Sequence, residues 1–205
     1  MKKNISFILL TLLVLYGCSS KEDKINDIIK SDMKVCLYDF KSYEPTKTQI
    51  DSAFYNIHGD NHVREKVSKF IKLKEEYEEL DKETEYLAMN TMAYSGLSSA
   101  PAVSMYNKYS KDLSENQKKL KTLESNIEKI KNEIISIHDK APRKKFIGWG
   151  VAHYFKCNTQ EGLPYIGEVA YIIDKDFKEI LFKIDMRDPD EMEIDETINE
   201  IVNGD

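Results

Sequence analysis

The sequence predicts an α+β protein: a small antiparallel sheet packed on an N-terminal helix, with a long antiparallel helical hairpin inserted into it. Three observations carry this. Apolar residues recur at helical spacing over residues 22–37, and again over the much longer stretches 63–87 and 103–138. Alternating apolar and polar residues separated by short turns fill residues 146–184. A stretch rich in β-branched and polar residues, 46–54, lies before the long helices, so the helical part interrupts a sheet.

In chain order, Lys2 and Lys3 precede an almost unbroken apolar run over residues 5–16. The run falls short of the roughly 20 apolar residues that a spanning helix needs, and fits the core of a secretory signal peptide. It ends at Leu15-Tyr16-Gly17-Cys18, which resembles the lipobox of bacterial lipoprotein precursors, with Tyr16 where a small residue is commoner. The resemblance implies a signal peptide over 1–17 and fatty acids (palmitate among them) on Cys18. Three acyl chains at about 0.8 kcal/mol per buried methylene make such an anchor effectively permanent. Residues 18–24 read as a lipidated tether. Ser19, where an aspartate often retains lipoproteins at the inner membrane, points to the outer membrane. Lys21-Glu22-Asp23 is similar to the surface-export signal of Bacteroides-type lipoproteins, and equally to a plain charged linker. A surface-exposed and a periplasm-facing location are both open.

Removing the signal leaves about 190 of 205 residues, enough for one or two cored domains. The net charge of −6 becomes −8 without Lys2 and Lys3. An acidic chain gains nothing from counterion release on phosphates, so nucleic acid is not an expected partner. Cys36 and Cys157 remain as thiols, and the expectation leans to no disulfide between them.

Residues 25–61 supply the first helix, through Ile25, Ile28, Ile29, Met33 and Leu37, and the first strand. Residues 39–45 read as a break between the two. His58-Gly59-Asp60-Asn61 offers turn and N-cap chemistry for the first long helix. Residues 62–140 form the hairpin, interrupted at Ser95, Gly96 and Pro101. The second long helix carries Leu113, Leu120, Leu123, Ile127, Ile130, Ile134 and Ile137 on a heptad in which Asn116 fills a vacancy. An intramolecular hairpin is favoured because the first helix offers a partner in the same chain. A homo-oligomer through the hairpin uses the same pattern. Residues 141–186 give a three-stranded meander that completes the sheet, and 187–205 an acidic tail with a short helix over 189–202.

Leu37-Tyr38-Asp39-Phe40-Lys41-Ser42-Tyr43-Glu44-Pro45, Asp51-Ser52-Ala53-Phe54, Gly148-Trp149, Gly167-Glu168 and Ile173-Asp174-Lys175-Asp176, in this order around a helical hairpin, resemble a group of small uncharacterised Bacteroides-type lipoproteins. The resemblance covers most of the mature chain and implies a cell-envelope location, with no catalytic residue to carry over. A cystatin-like sheet with a helix across it is the analogous fold, and a fold alone supplies no function.

No familiar chemistry is legible. Gly148-Trp149-Gly150 lacks the third glycine and the following helix of a dinucleotide site. Gly96-Leu97-Ser98-Ser99-Ala100 lacks the closing glycine of a nucleophile elbow. His58 and His62 are four apart, but Gly59 argues for turn and cap roles rather than a metal pair. His153, among apolar strand residues, reads as a satisfied core or groove histidine. Asp174 and Asp176 lack the glycine and terminal glutamate of a calcium loop. No cofactor and no metal site are expected.

The most suggestive feature is the hairpin tip, where Met89, Met92, Tyr94, Leu97, Met105 and Tyr106 stand among small residues with few charges. Such side chains make adaptable contact surfaces, unless the tip packs on itself. The expected function is a membrane-anchored, non-enzymatic envelope lipoprotein that engages an envelope or extracellular protein. The alternative is a small-ligand or glycan-binding face built from Trp149, Tyr154, Tyr165 and Tyr171, whose mark would be an exposed aromatic row.

Overall fold

Ser20 accepts a hydrogen bond from the Asp23 N–H at 3.1 Å while the Asp23 carboxylate accepts one from Ser20 N–H at 3.0 Å. This reciprocal cap opens α1, Lys21–Cys36, and Glu22 and Asp23 add negative charge where the helix dipole favours it. The computed structural model describes residues 20–204, so the expected signal peptide and Cys18 lie outside the described residues. Helix α1 begins at Lys21, inside the stretch expected as tether, because its capping residue Ser20 stands five positions ahead of Ile25, the first buried apolar residue.

The described chain forms two compact units. In the first, α1 is followed by β1 (Asp39–Phe54), β2 (Phe146–Asn158), β3 (Pro164–Asp174) and β4 (Ile180–Asp185). All neighbours are antiparallel, in the order β1-β2-β3-β4. Strand β1 is longer than expected, because residues 39–45 join the sheet through register irregularities rather than breaking it. Pro45 has no N–H to give a ladder, and an edge strand tolerates that. Ile25, Ile29 and Met33 of α1 pack on Val151, Phe155, Cys157, Val169, Tyr171 and Ile173. The odd-numbered residues of β2 therefore face the helix, as their alternation predicts.

Two glycines are required by close approach. A Cβ on Gly148 (φ +157°) would stand 2.0 Å from the Ile173 carbonyl oxygen, so this glycine serves strand packing rather than a phosphate. A Cβ on Gly167 would stand 2.2 Å from Cζ of Phe155, whose ring covers that glycine from the neighbouring strand.

The second unit is built from a short 3₁₀ turn, Ile57–Gly59, the hairpin helices α2 (Asn61–Tyr94) and α3 (Ala100–Lys140), and α4 (Pro189–Asn203). Asp60 caps α2 by accepting from the His62 and Val63 N–H groups, and Tyr55 donates to the same carboxylate at 2.6 Å. Burial, followed by the Asp60 carboxylate, pushes the Tyr55 phenol up to about 12. Gly96 (φ +82°) turns the chain and Pro101 sits in the first turn of α3.

The helix expected over 189–202 of the acidic tail forms as α4, and it is amphipathic. Its Ile198 and Ile201 are buried with Ile57, Val63, Val67, Phe70, Ile130 and Ile134, making a third helix at the hairpin base. Arg64, almost wholly buried, pairs with Glu191 and Asp195 of α4 and donates to the His58 carbonyl at 3.0 Å. An acidic sequence concealed this, because its carboxylates meet a buried arginine from far away in the chain. Asn116 is buried in the helix seam, as the heptad requires, and its Nδ2 has no partner among the described residues. Among the described residues, no helix is long and apolar enough to cross a membrane.

Candidate functional site

The hairpin tip follows from local chemistry. Small and hydroxyl-bearing residues close α2 and open α3, and within this unit the buried residues of α4 pack at the hairpin base. Met92 is 79% exposed, Met89 65% and Leu97 52%; Tyr106, and the unforeseen Tyr86 and Val103, are also exposed. Tyr94 and Met105 are half-buried. Tyr94 stacks on Tyr109 with ring centroids 5.8 Å apart and 22° between planes, and Leu87 and Ala102 are buried. The tip thus closes on itself only in part, and the methionines stay outside.

The four rings expected as an aromatic binding row do not form one. Tyr171 is 1% exposed and its hydroxyl donates to Asp32 of α1 at 2.9 Å. Burial first, then the nearby Asp32 carboxylate, pushes its phenol far up. Trp149 is held between Phe177, stacked at 6.1 Å, and the edge of Phe146 at 5.6 Å, with Lys21 Nζ 4.3 Å from the ring. Phe177 adopts φ +59° in the turn before β4 while making this stack. Tyr165 lies on the helix side of the sheet, 6.4 Å from Phe155. Tyr154, at an even position of β2, points to the opposite face beside Lys47. Helix packing on one face and strand alternation together break up the row.

A groove of about 520 Å³ does occur in this unit, beside α1 and the irregular part of β1. Ile29, Phe40, Tyr43 and Pro45 supply its apolar wall, and Asn26, Lys30, Lys47 and Thr48 its polar one. His153 lies at its base, 1% exposed, with Tyr43 Oη 2.8 Å from Nε2 and Thr48 Oγ1 2.9 Å from Nδ1. Burial holds this imidazole below its ordinary pKa. A neutral imidazole has one donor and one acceptor, so one hydroxyl donates to the ring and the other accepts from it. Both nitrogens are occupied, which suits a histidine that joins β1 to β2 rather than one that exchanges protons with a ligand. Sequence reasoning anticipated the satisfied histidine but not its partners. Pro45, read as part of a break before the strand, stands instead at a register shift within it.

The remaining candidates have structural roles. His58 Nδ1 lies 3.3 Å from Asp195, and His62, in the first turn of α2, donates its backbone N–H to the Asp60 cap. The Asp174 carboxylate accepts from the N–H groups of Asp176, Lys178 and Glu179 and ties the turn before β4. Desolvation opposes its ionisation, and those three N–H groups outweigh it, holding the carboxyl below its usual value. Cys36 is exposed beside Lys183 and Asp32, whereas Cys157 is in the core; both are free thiols. Among the described residues, no three metal-ligating side chains converge. Compared with protein-family models, curated proteins and solved structures, the chain gives no match.

Proposed function

We propose that this protein is a lipid-anchored lipoprotein of the outer membrane, held through Cys18, whose helical hairpin engages a protein partner at its tip without catalysis. One observation carries the reading: methionine and aromatic side chains at the tip stand in solvent. Burying exposed methionines at about 25 cal/mol per Å² gives a partner a substantial apolar gain. Few charges lie near enough to oppose it. The lipobox word supports the anchor, and the apolar run before it supports export.

Two measurements test the two halves of the reading. Cells labelled with a palmitate analogue are expected to mark the native chain and leave Cys18→Ala unmarked; equal marking would remove the anchor. A photoreactive residue in place of Met92 is expected to give a discrete protein adduct in cells, with none from the same residue in place of exposed Lys41. Adducts at neither position, or equally at both, would overturn contact through the tip.

A further inference from the structure

We propose that the hairpin's partner is a second copy of this chain, with both tips at one end and α2 of each copy packed against α3 of the other. This rests on the tip reading and names the partner it leaves open.

The first observation is where the hairpin seam is covered and where it is not. At the base, α4 provides a third helix, and Val63, Val67, Ile134 and Ile198 are completely enclosed. Farther along the hairpin, Tyr77, Leu80, Leu113 and Leu120 are only half-buried, although Thr84, Leu87, Asn116 and Leu123 are buried. Two helices side by side cannot enclose a full apolar stripe, whereas four can.

Charge selects the occupant. Residues 75–85 of α2 carry seven carboxylates and one lysine, and residues 108–121 of α3 carry five lysines and two carboxylates. Counted from the turn, the two segments lie at the same level of the hairpin. Among the described residues, no ion pair joins them; Lys111 and Glu115, 3.9 Å apart, pair within α3. The hairpin therefore presents an acidic helix beside a basic one, a pattern complementary to itself.

Symmetry then fixes the arrangement. Identical chains pair most simply about a two-fold axis, through one patch that is its own complement. When two hairpins stack face to face, an axis across the helices would set acidic α2 over acidic α2. An axis parallel to the helices sets acidic α2 over basic α3 twice, with antiparallel helix dipoles. Complementary charge steers such pairing and rejects the wrong register. The same axis brings Met89, Met92 and Leu97 of the two copies to one end, where each tip can cover the other.

The test uses the mature chain carrying Cys18→Ala, with its mass measured by sedimentation at low and high salt. A dimer is expected at low salt that weakens at high salt, since screening shortens the reach of exposed charges. Glu78→Lys with Glu79→Lys should weaken it by at least about tenfold, as should Lys118→Glu with Lys119→Glu. An equimolar mixture of the two double variants should recover a heterodimer, which also shows that both are folded. With Cys36→Ser in the background, Ser98→Cys should cross-link to itself, because only the axis along the helices brings the two tips together.

A native chain that is monomeric at every salt concentration overturns the proposal. So does a dimer that survives both charge reversals, or one whose Ser98→Cys variant does not cross-link. An adduct from position 92 whose mass is that of another protein overturns the second copy while leaving contact through the tip standing.

Discussion

His153 is the residue whose surroundings translate most directly into behaviour. Its ring lies at the base of the groove with both nitrogens hydrogen-bonded to hydroxyls from β1. Burial depresses its pKa in the folded state, relative to about 6.5 in an unfolded chain. A depressed pKa means that the unfolded chain binds the proton more readily. The stability this residue contributes is therefore fully present above about pH 6.5 and is lost as the pH falls through the folded-state value. His153→Gln keeps a donor and an acceptor but does not titrate. Denaturant midpoints followed from pH 7.5 down to 5 should fall in the native chain and fall less steeply in the variant. Parallel slopes would mean that other groups carry the dependence.

At the scale of elements, the hairpin combines a well-formed base with a seam that contains one conflict. Asn116 occupies a heptad position expected to be apolar, and its buried amide nitrogen lacks a partner among the described residues. A polar residue in a seam fixes register and lowers stability, and an unmet buried donor costs about 1–3 kcal/mol. Asn116→Leu is thus expected to raise the thermal midpoint of the helical signal, with a gain of about 1 kcal/mol or more. A lower midpoint would show that the amide makes a bond that matters, for instance across a dimer. The sheet shows the opposite economy: Phe155 covers Gly167, Tyr171 reaches Asp32, and Lys183 bonds the same carboxylate at 2.6 Å. Side chains from α1 and three strands thereby fix how the helix lies on the sheet.

For the molecule as a whole, the chain passes from the sheet unit into the hairpin unit, back again, and returns to the hairpin unit for its last helix. Each unit has its own buried cluster. Trp149 is the single tryptophan and belongs to the sheet unit, whereas the two longest helices belong to the other. Tryptophan fluorescence and far-UV ellipticity should consequently report different events, and unfolding transitions followed by the two are expected not to coincide. Superimposable curves would mean that the units unfold as one. Removing residues 189–205 should lower the transition seen by ellipticity and leave the fluorescence transition in place, because Ile198 and Ile201 are buried in the hairpin unit alone.

Periodicity by itself determined the helices, the meander and their order, because repeats of 3.6 and 2 residues are properties of a local backbone with one wet face and one dry one. It also singled out the tip, since methionines and tyrosines gathered around Ser95, Gly96 and Pro101 need no distant information to be noticed. What only the tertiary structure decided depends on pairs far apart in the chain. Arg64 draws an acidic C-terminal segment into a buried interface, across more than 120 residues of sequence. Tyr43 and Thr48 meet His153 across more than 100. Tyr154 falls on the opposite face from Trp149 and Tyr171, although all three are aromatic residues of neighbouring strands. A sequence shows which residues prefer to be buried, but which residue buries which is settled when the elements pack together.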